Sequence, residues 1–284
     1  MPKTTAQSAD HRPPGLLRGI FARRGTWPWF ELVLALLGSG VVLFIVAPLV
    51  GLFAASSWSE VSRAVAEREV RDSIRLTLTA AAAATAVCCA GGIPLAWLLA
   101  RKRFPGRSLL VAVLDLPIVI PHSAAGIALL TVVGRQSLLG RLSGGGLVGT
   151  ASGIAVAMAF VSLPFLINAA HEAFAAVPER LERAARTLGA SPTRVFFTIS
   201  LPMAWRGVLA GVILMWARGI SEFGAVIIIA YHPMTTPVLV FQRFNDYGLA
   251  YARSASVLLI GICMAIFVVL RLLLAGRRGE DRRA

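Results

Sequence analysis

The sequence predicts an all-α integral membrane protein built on six transmembrane helices, and three observations carry that prediction. First, the 284-residue chain is 57% hydrophobic and only 15% charged, with a mean hydropathy of +0.74. A soluble domain is about 45–50% apolar and about 25% charged. It also leaves roughly a quarter of its unfolded surface wet, so it has nowhere to hide this excess, whereas lipid solvates it. Second, the apolar residues gather in six stretches, each long enough to cross about 30 Å of hydrocarbon at about 1.5 Å per residue. Third, the basic residues cluster between those stretches, mostly on alternate sides.

The first stretch runs from Phe30 to Ala55, with Trp27, Trp29 and Trp58 placed as interfacial anchors. The second runs from Ile74 to Ala100, and Asp72 or Ser73 can cap its start. The third covers Ser108 to Val133, the fourth Leu147 to Ala170, the fifth Gly207 to Tyr231 and the sixth Ser254 to Leu274. Only helices and closed barrels span lipid. Barrel strands are about ten residues long and alternate in polarity. These segments are twice that length without alternation, so they are helices.

Residues 1–29 form a polar, basic tail with Pro13, Pro14, Arg23 and Arg24, expected to be disordered and cytoplasmic. The apolar stretch that follows is too long for a signal peptide. The membrane domain covers 30–275, and a second basic tail covers 276–284. Of the Lys and Arg residues between the stretches or, like Arg75, at the edge of one, 18 fall on the side of both termini and 8 on the other, so the positive-inside rule puts both termini in the cytoplasm. The net charge of +14 would suggest nucleic acid in a soluble protein; here topology accounts for it, and no nucleic-acid partner is expected. Cys88, Cys89 and Cys263 lie in apolar stretches and read as small core residues. Gly145, Gly149 and Gly153, and again Gly207 and Gly211, are spaced by four, a pattern that lets helices approach closely within one chain.

The most informative segment is the cytoplasmic loop 172–206. Pro178 can open a helix, and Glu179 and Glu182 sit where negative charge favours a helix start. Leu181, Ala184, Ala185 and Leu188 form an apolar stripe at helical spacing. Gly189 is placed to end the helix, and Pro192 to stop its continuation. A second apolar piece ends at Leu201-Pro202. On physical grounds alone, such a helix can lie on the membrane surface with its arginines toward anionic lipid.

The loop resembles the motif of ABC importer permeases: Glu-Ala-Ala, three residues, Gly, nine residues, Ile, one residue, Leu-Pro. Here Ala184-Ala185, Gly189, Ile199, Leu201 and Pro202 keep that spacing. Arg183 occupies the first position, with Glu182 one residue earlier. The resemblance implies the type I importer permease fold and a coupling helix, with Glu179, Glu182, Arg183, Ala184, Ala185, Leu188, Gly189, Ile199, Leu201 and Pro202 as coupling residues. It implies a separate ATPase subunit that uses ATP and Mg, an external or periplasmic oxyanion-binding protein, and a homodimer in the bacterial-type inner membrane. This chain itself is expected to be no enzyme and to bind no cofactor or metal. A phosphate-binding loop needs Gly-Lys before Ser or Thr, and Lys3 and Lys102 follow Pro2 and Arg101.

From Asp72 to Leu274 the chain is similar to the molybdate, tungstate and sulfate branch of these permeases. The residues that carry this are the run Asp115 to Leu130, Glu222-Phe223-Gly224-Ala225, Tyr231, Pro233-Met234-Thr235 and Pro237-Val238-Leu239. They look most like the tungstate/molybdate type; sulfate permeases usually carry Gly-Asn where Tyr231-His232 stands. Candidates for the pathway or its gate are Asp115, Pro121, His122, Ser123, Arg218, Glu222 and Phe223. Charges at that depth cost several kcal/mol unless paired or wet. Two readings stand: Arg218 lines an anion path, or Arg218 pairs with Glu222 or Asp115 and holds spans three and five together. Pro117 and Pro121 can kink span three, freeing carbonyls beside Ser123.

Two other functions compete. A membrane enzyme needs a catalytic constellation, and no HExxH, metal-spaced carboxylate pair or Gly-x-Ser-x-Gly occurs. An ion-coupled secondary transporter usually shows internal repeats with broken helices in both halves, and no such repeat is legible. Within the importer reading, sulfate or another small solute is the alternative cargo.

Overall fold

A computed structural model describes residues 28–137, 140–141 and 146–276. Nearly all of the expected N-terminal tail, the C-terminal tail beyond Gly276, and Trp27 and Gly145 lie outside the described residues. The described elements are helical. Helix α1 (Pro28–Ala54) forms a unit by itself. At 27 residues it reaches about 40 Å, enough to cross a bilayer.

The second unit begins at Ser56. Helix α2 (Trp58–Ala66) is a short helix that the hydropathy pattern did not reveal. Ser57 caps it: the Ser57 hydroxyl accepts from Glu60 N–H, and the Glu60 carboxylate accepts from Ser57 N–H. Trp58 therefore opens α2 rather than closing the first span. Helix α3 (Arg68–Arg101) starts six residues before the expected span. That corrects the expected cap: Glu67 precedes α3 without a side-chain cap, Asp72 pairs with Arg68 one turn away, and the Ser73 hydroxyl donates to Val70 C=O.

The third span is not one straight helix. Helix α4 (Arg107–Val119) and helix α5 (His122–Val133) meet at a bend of 115°. Pro121 is the cause, because a proline drives the preceding residue out of helical conformation. Ile120 is extended, at φ −72° and ψ 144°. Pro117 sits inside α4 and leaves it helical. Helix α6 (Ala151–Ala175) follows, with the Thr150 hydroxyl accepting from Gly153 N–H.

After the loop helices α7 (Glu179–Thr187) and α8 (Pro192–Val195), a π-helical turn, Phe196–Ser200, leads into α9 (Leu201–Ile220). Pro192 therefore opens a helix at its first turn rather than only ending one. Pro202 lies just past the π turn, where its missing N–H is tolerated. Span five stops at Ile220, eleven residues short of the expected Tyr231. Helix α10 (Gly224–Ile229) is a separate piece, followed by α11 (Thr236–Tyr247) and α12 (Leu249–Gly276).

The connections fix the crossings in this unit. Arg101, at the end of α3, bonds to Val177 and Glu182 just beyond α6, so those two ends share a side. At the other side Leu147 N–H donates to Val133 C=O after α5, and Gly149 N–H donates to Ile229 C=O after α10. Arg107, at the start of α4, donates to Leu99 C=O near the end of α3, so the bent α4–α5 pair runs from the loop side to the other. Thr77 clamps α3 to α11: its hydroxyl lies 3.2 Å from the Thr236 hydroxyl and accepts from Thr236 N–H at 2.8 Å.

The core follows small residues. Toward the α11 side, Ala81, Ala84, Ala125, Ile154, Met158, Val226 and Ile229 pack together. Toward the loop, Ala96, Leu99, Ile167, Ala170, Phe174, Val177, Ala204 and Val208 do the same. A Cβ on Gly207 would lie 2.4 Å from Ala173 Cβ, and one on Gly211 3.0 Å from Ala169 Cβ. These glycines thus serve contact between α9 and α6 within the chain. Cys88, Cys89 and Cys263 are half-buried, unpaired thiols rather than full core residues.

Candidate functional site

The loop after α6 is built around one buried carboxylate. Arg101 Nε donates to both Glu182 oxygens at 3.0 and 2.9 Å, and Arg101 Nη2 donates to Oε1 at 2.9 Å and to Val177 C=O at 3.0 Å. The Ser200 hydroxyl donates to the same carboxylate at 2.7 Å. Arg101, Glu182 and Ser200 are each at least largely buried, so these charge-assisted bonds act in a low dielectric. Burial pushes the Glu182 carboxyl up, but hydrogen bonds from Arg101 and Ser200, with the charges of Arg101 and Arg186, outweigh it and hold the carboxyl below its ordinary value.

That clasp orients α7. Gly189 adopts φ +85°, its N–H donates to Arg186 C=O, and Ala190 N–H donates to Ala185 C=O. This is the glycine-ended helix stop that L side chains resist. Ser191 then caps α8, accepting from Arg194 N–H. With Glu182 turned inward, the apolar stripe turns outward: Ala184 is exposed, Leu181 is 39% exposed and Leu188 89%. A surface helix that buried its stripe on its own fold would show the reverse, so this stripe is available to another surface. Arg183 is also exposed and pairs with Glu179 at 3.3 Å. Ile199 lies in the π turn and Leu201 opens α9, while Phe196 at the start of that turn packs against Phe174 and Trp97.

The second constellation lies where two breaks face each other. A Cβ on Gly224, at the start of α10, would stand 2.7 Å from His122 Cβ at the start of α5. A Cβ on Gly126 would stand 2.8 Å from Ile228 Cβ. Between them Glu222, 1% exposed, accepts from Ala225 N–H at 2.9 Å. It lies 2.9 Å from Arg218 Nη2 and 2.8 Å from His122 Nδ1. Arg218 thus pairs with Glu222 and not with Asp115, which instead accepts from Asn168 of α6 at 2.8 Å. Ser123 and Pro121 are exposed at the elbow, and Phe223 stacks on Phe241 of α11.

Sequence reading missed Arg101, Ser200 and Asn168 as partners, and His122 as a member of the Arg218 group. These partners lie 18 to 100 positions apart, beyond the reach of helical spacing. His122 and Asn168 stand out only as polar residues in apolar stretches, and Arg101 is the first of three basic residues in a row.

The sequence pattern of the family described as binding-protein-dependent transport system inner membrane component matches residues 92–277, taking in the loop and both breaks. A molybdate/tungstate transport system permease protein of Pyrococcus abyssi is 45% identical over 242 residues, 84% of this chain and 94% of that protein. A probable sulfate transport system permease protein of Chlorokybus atmophyticus is 32% identical over 249 residues, 84% of this chain and 85% of that protein. Among solved structures, a bacterial ABC transporter involved in the import of the acidic polysaccharide alginate matches with a TM-score of 0.66 at 15% identity, over 88% of this chain and 96% of that one. At that identity the likeness is one of fold.

Proposed function

The chain belongs to the family of binding-protein-dependent transport system inner membrane components and is the permease subunit of an ABC importer; we propose that its cargo is molybdate or tungstate and that a separate ATPase docks on α7. The chain is a multi-pass protein of the inner membrane. One observation carries the docking role. Glu182 is clasped by Arg101 and Ser200, so the helix that bears Leu181 and Leu188 is fixed to α3 and α9 while its apolar face stays exposed. An ATPase groove that takes this face moves α3 and α9 with it, as an apolar helix in a groove gives a firm lever.

In this reading the partner hydrolyses ATP with magnesium, and this chain contributes no catalytic group. Two copies pair, each docking one ATPase through its single loop. An external binding protein selects the anion and delivers it. The cargo rests on the 45% identity to a molybdate/tungstate permease against 32% to a sulfate one.

The test is uptake into lipid vesicles holding this chain, its cognate ATPase and binding protein. Molybdate or tungstate uptake that needs ATP and survives collapse of ion gradients is the expected result. Uptake of sulfate alone would refute the cargo, and uptake driven by an ion gradient without ATP would refute the importer role.

A further inference from the structure

We propose that Arg218, shared between Glu222 and His122 where the two broken spans meet, is a transient binding point for the transported oxyanion. The proposal rests on the importer reading above. In it, Glu222 is a built-in stand-in that neutralises the guanidinium while no anion is there.

Backbone irregularity at membrane depth is tolerated only where it is buried in protein or lines a wet cavity. Here two irregular points, Ile120–Pro121 and Ser221–Phe223, sit at one place. Helix α4 rises about 18–20 Å from Arg107 to Val119, so the elbow lies well inside a bilayer of about 30 Å. The charged side chains of α4, α5, α6, α9 and α10 at this depth are Asp115, Arg218 and Glu222. Asp115 is turned to Asn168; Arg107, His171, Glu172 and Arg206 lie near the loop ends of their helices.

The three-way geometry makes Arg218 exchangeable. His122 Nδ1 is 2.8 Å from Glu222 Oε2 and 2.7 Å from Arg218 Nη2. A single imidazole nitrogen cannot both donate to the carboxylate and accept from the guanidinium. If it accepts from Arg218, it faces the carboxylate with a lone pair; if it donates to Glu222, Arg218 is the surplus donor. So when Arg218 turns to an incoming anion, His122 takes over Glu222, and the buried carboxylate is never left bare. The Arg218 and His122 side chains are 23% and 35% exposed, against 1% for Glu222. The guanidinium and the imidazole therefore face the open side and the carboxylate the protein. A guanidinium fork suits an oxyanion geometrically.

A merely structural ion pair makes a different prediction, because replacing both partners of a buried pair is often neutral. The experiment is oxyanion uptake per ATP hydrolysed, in vesicles with ATPase and binding protein, for Arg218→Gln, His122→Gln and the double variant Arg218→Gln/Glu222→Gln. The double variant leaves no buried unpaired charge. It is expected to keep hydrolysis stimulated by the binding protein within about twofold while uptake per ATP falls at least about tenfold. His122→Gln, which leaves Glu222 holding Arg218, is expected to lower uptake per ATP about threefold. Wild-type uptake per ATP in the double variant, or parallel loss of hydrolysis and uptake in it, would overturn the site. So would an unchanged His122→Gln. A wild-type protein that imports no oxyanion with ATP would instead overturn the importer reading.

Discussion

Arg101 and Glu182 lie 81 positions apart in sequence, yet their side chains form the joint on which the loop turns. Removing one partner of a buried ion pair leaves an uncompensated charge and costs about 3–5 kcal/mol. Arg101→Ala is therefore expected to lose about that much stability, read as a drop in Tm in detergent, and to lose ATPase coupling with it. The clasp also sets a pH window. The folded Glu182 carboxyl is held below its ordinary value, so its contribution is fully present above about pH 4.3 and fades as pH falls through the lowered value. Thermal unfolding against pH should show that acid loss in the natural protein and a weaker one in Glu182→Gln. The sequence disclosed Glu182 as a helix-start charge beside a displaced motif position. Its partner was invisible, because nothing local distinguishes Arg101 from Lys102 or Arg103.

Elements were more legible than contacts. Apolar stretches located the five helices long enough to cross a membrane and the bent α4–α5 pair, because a helix in lipid must satisfy its own backbone and so must be long. Hydropathy did not locate the breaks. Pro117 and Pro121 are equivalent as residues, and only Pro121 has its predecessor extended. Neither α2 nor α11 has enough apolar length to register, although Ser57 and Glu60 do spell a capping box. Gly207 and Gly211 do pack within the chain, against Ala173 and Ala169. Gly207→Val places its first side-chain carbon on Ala173, and overpacking of this kind costs about 1–3 kcal/mol. Chemical denaturation should report that loss, while a valine at Gly40, which has nothing within 4 Å in its own unit, should leave stability unchanged.

At the scale of the whole molecule, the fold and the family were legible because the loop motif survives at its spacing even with Arg183 in the first position. In the structure Glu182 makes a buried contact to Arg101, while Arg183 points outward to Glu179. Assembly follows from the same loop. Crosslinking of the active complex is expected to give two copies of this chain for two ATPases; a single copy in a working complex would refute the pairing. The most direct measurement is ATP hydrolysis by the cognate ATPase in vesicles with this chain and the loaded binding protein, natural protein against Leu188→Asp. Leu188 is 89% exposed, so the change should leave Tm unaltered and abolish the stimulated hydrolysis. Stimulation that survives Leu188→Asp undiminished would show that the outward face of α7 is not where the ATPase couples.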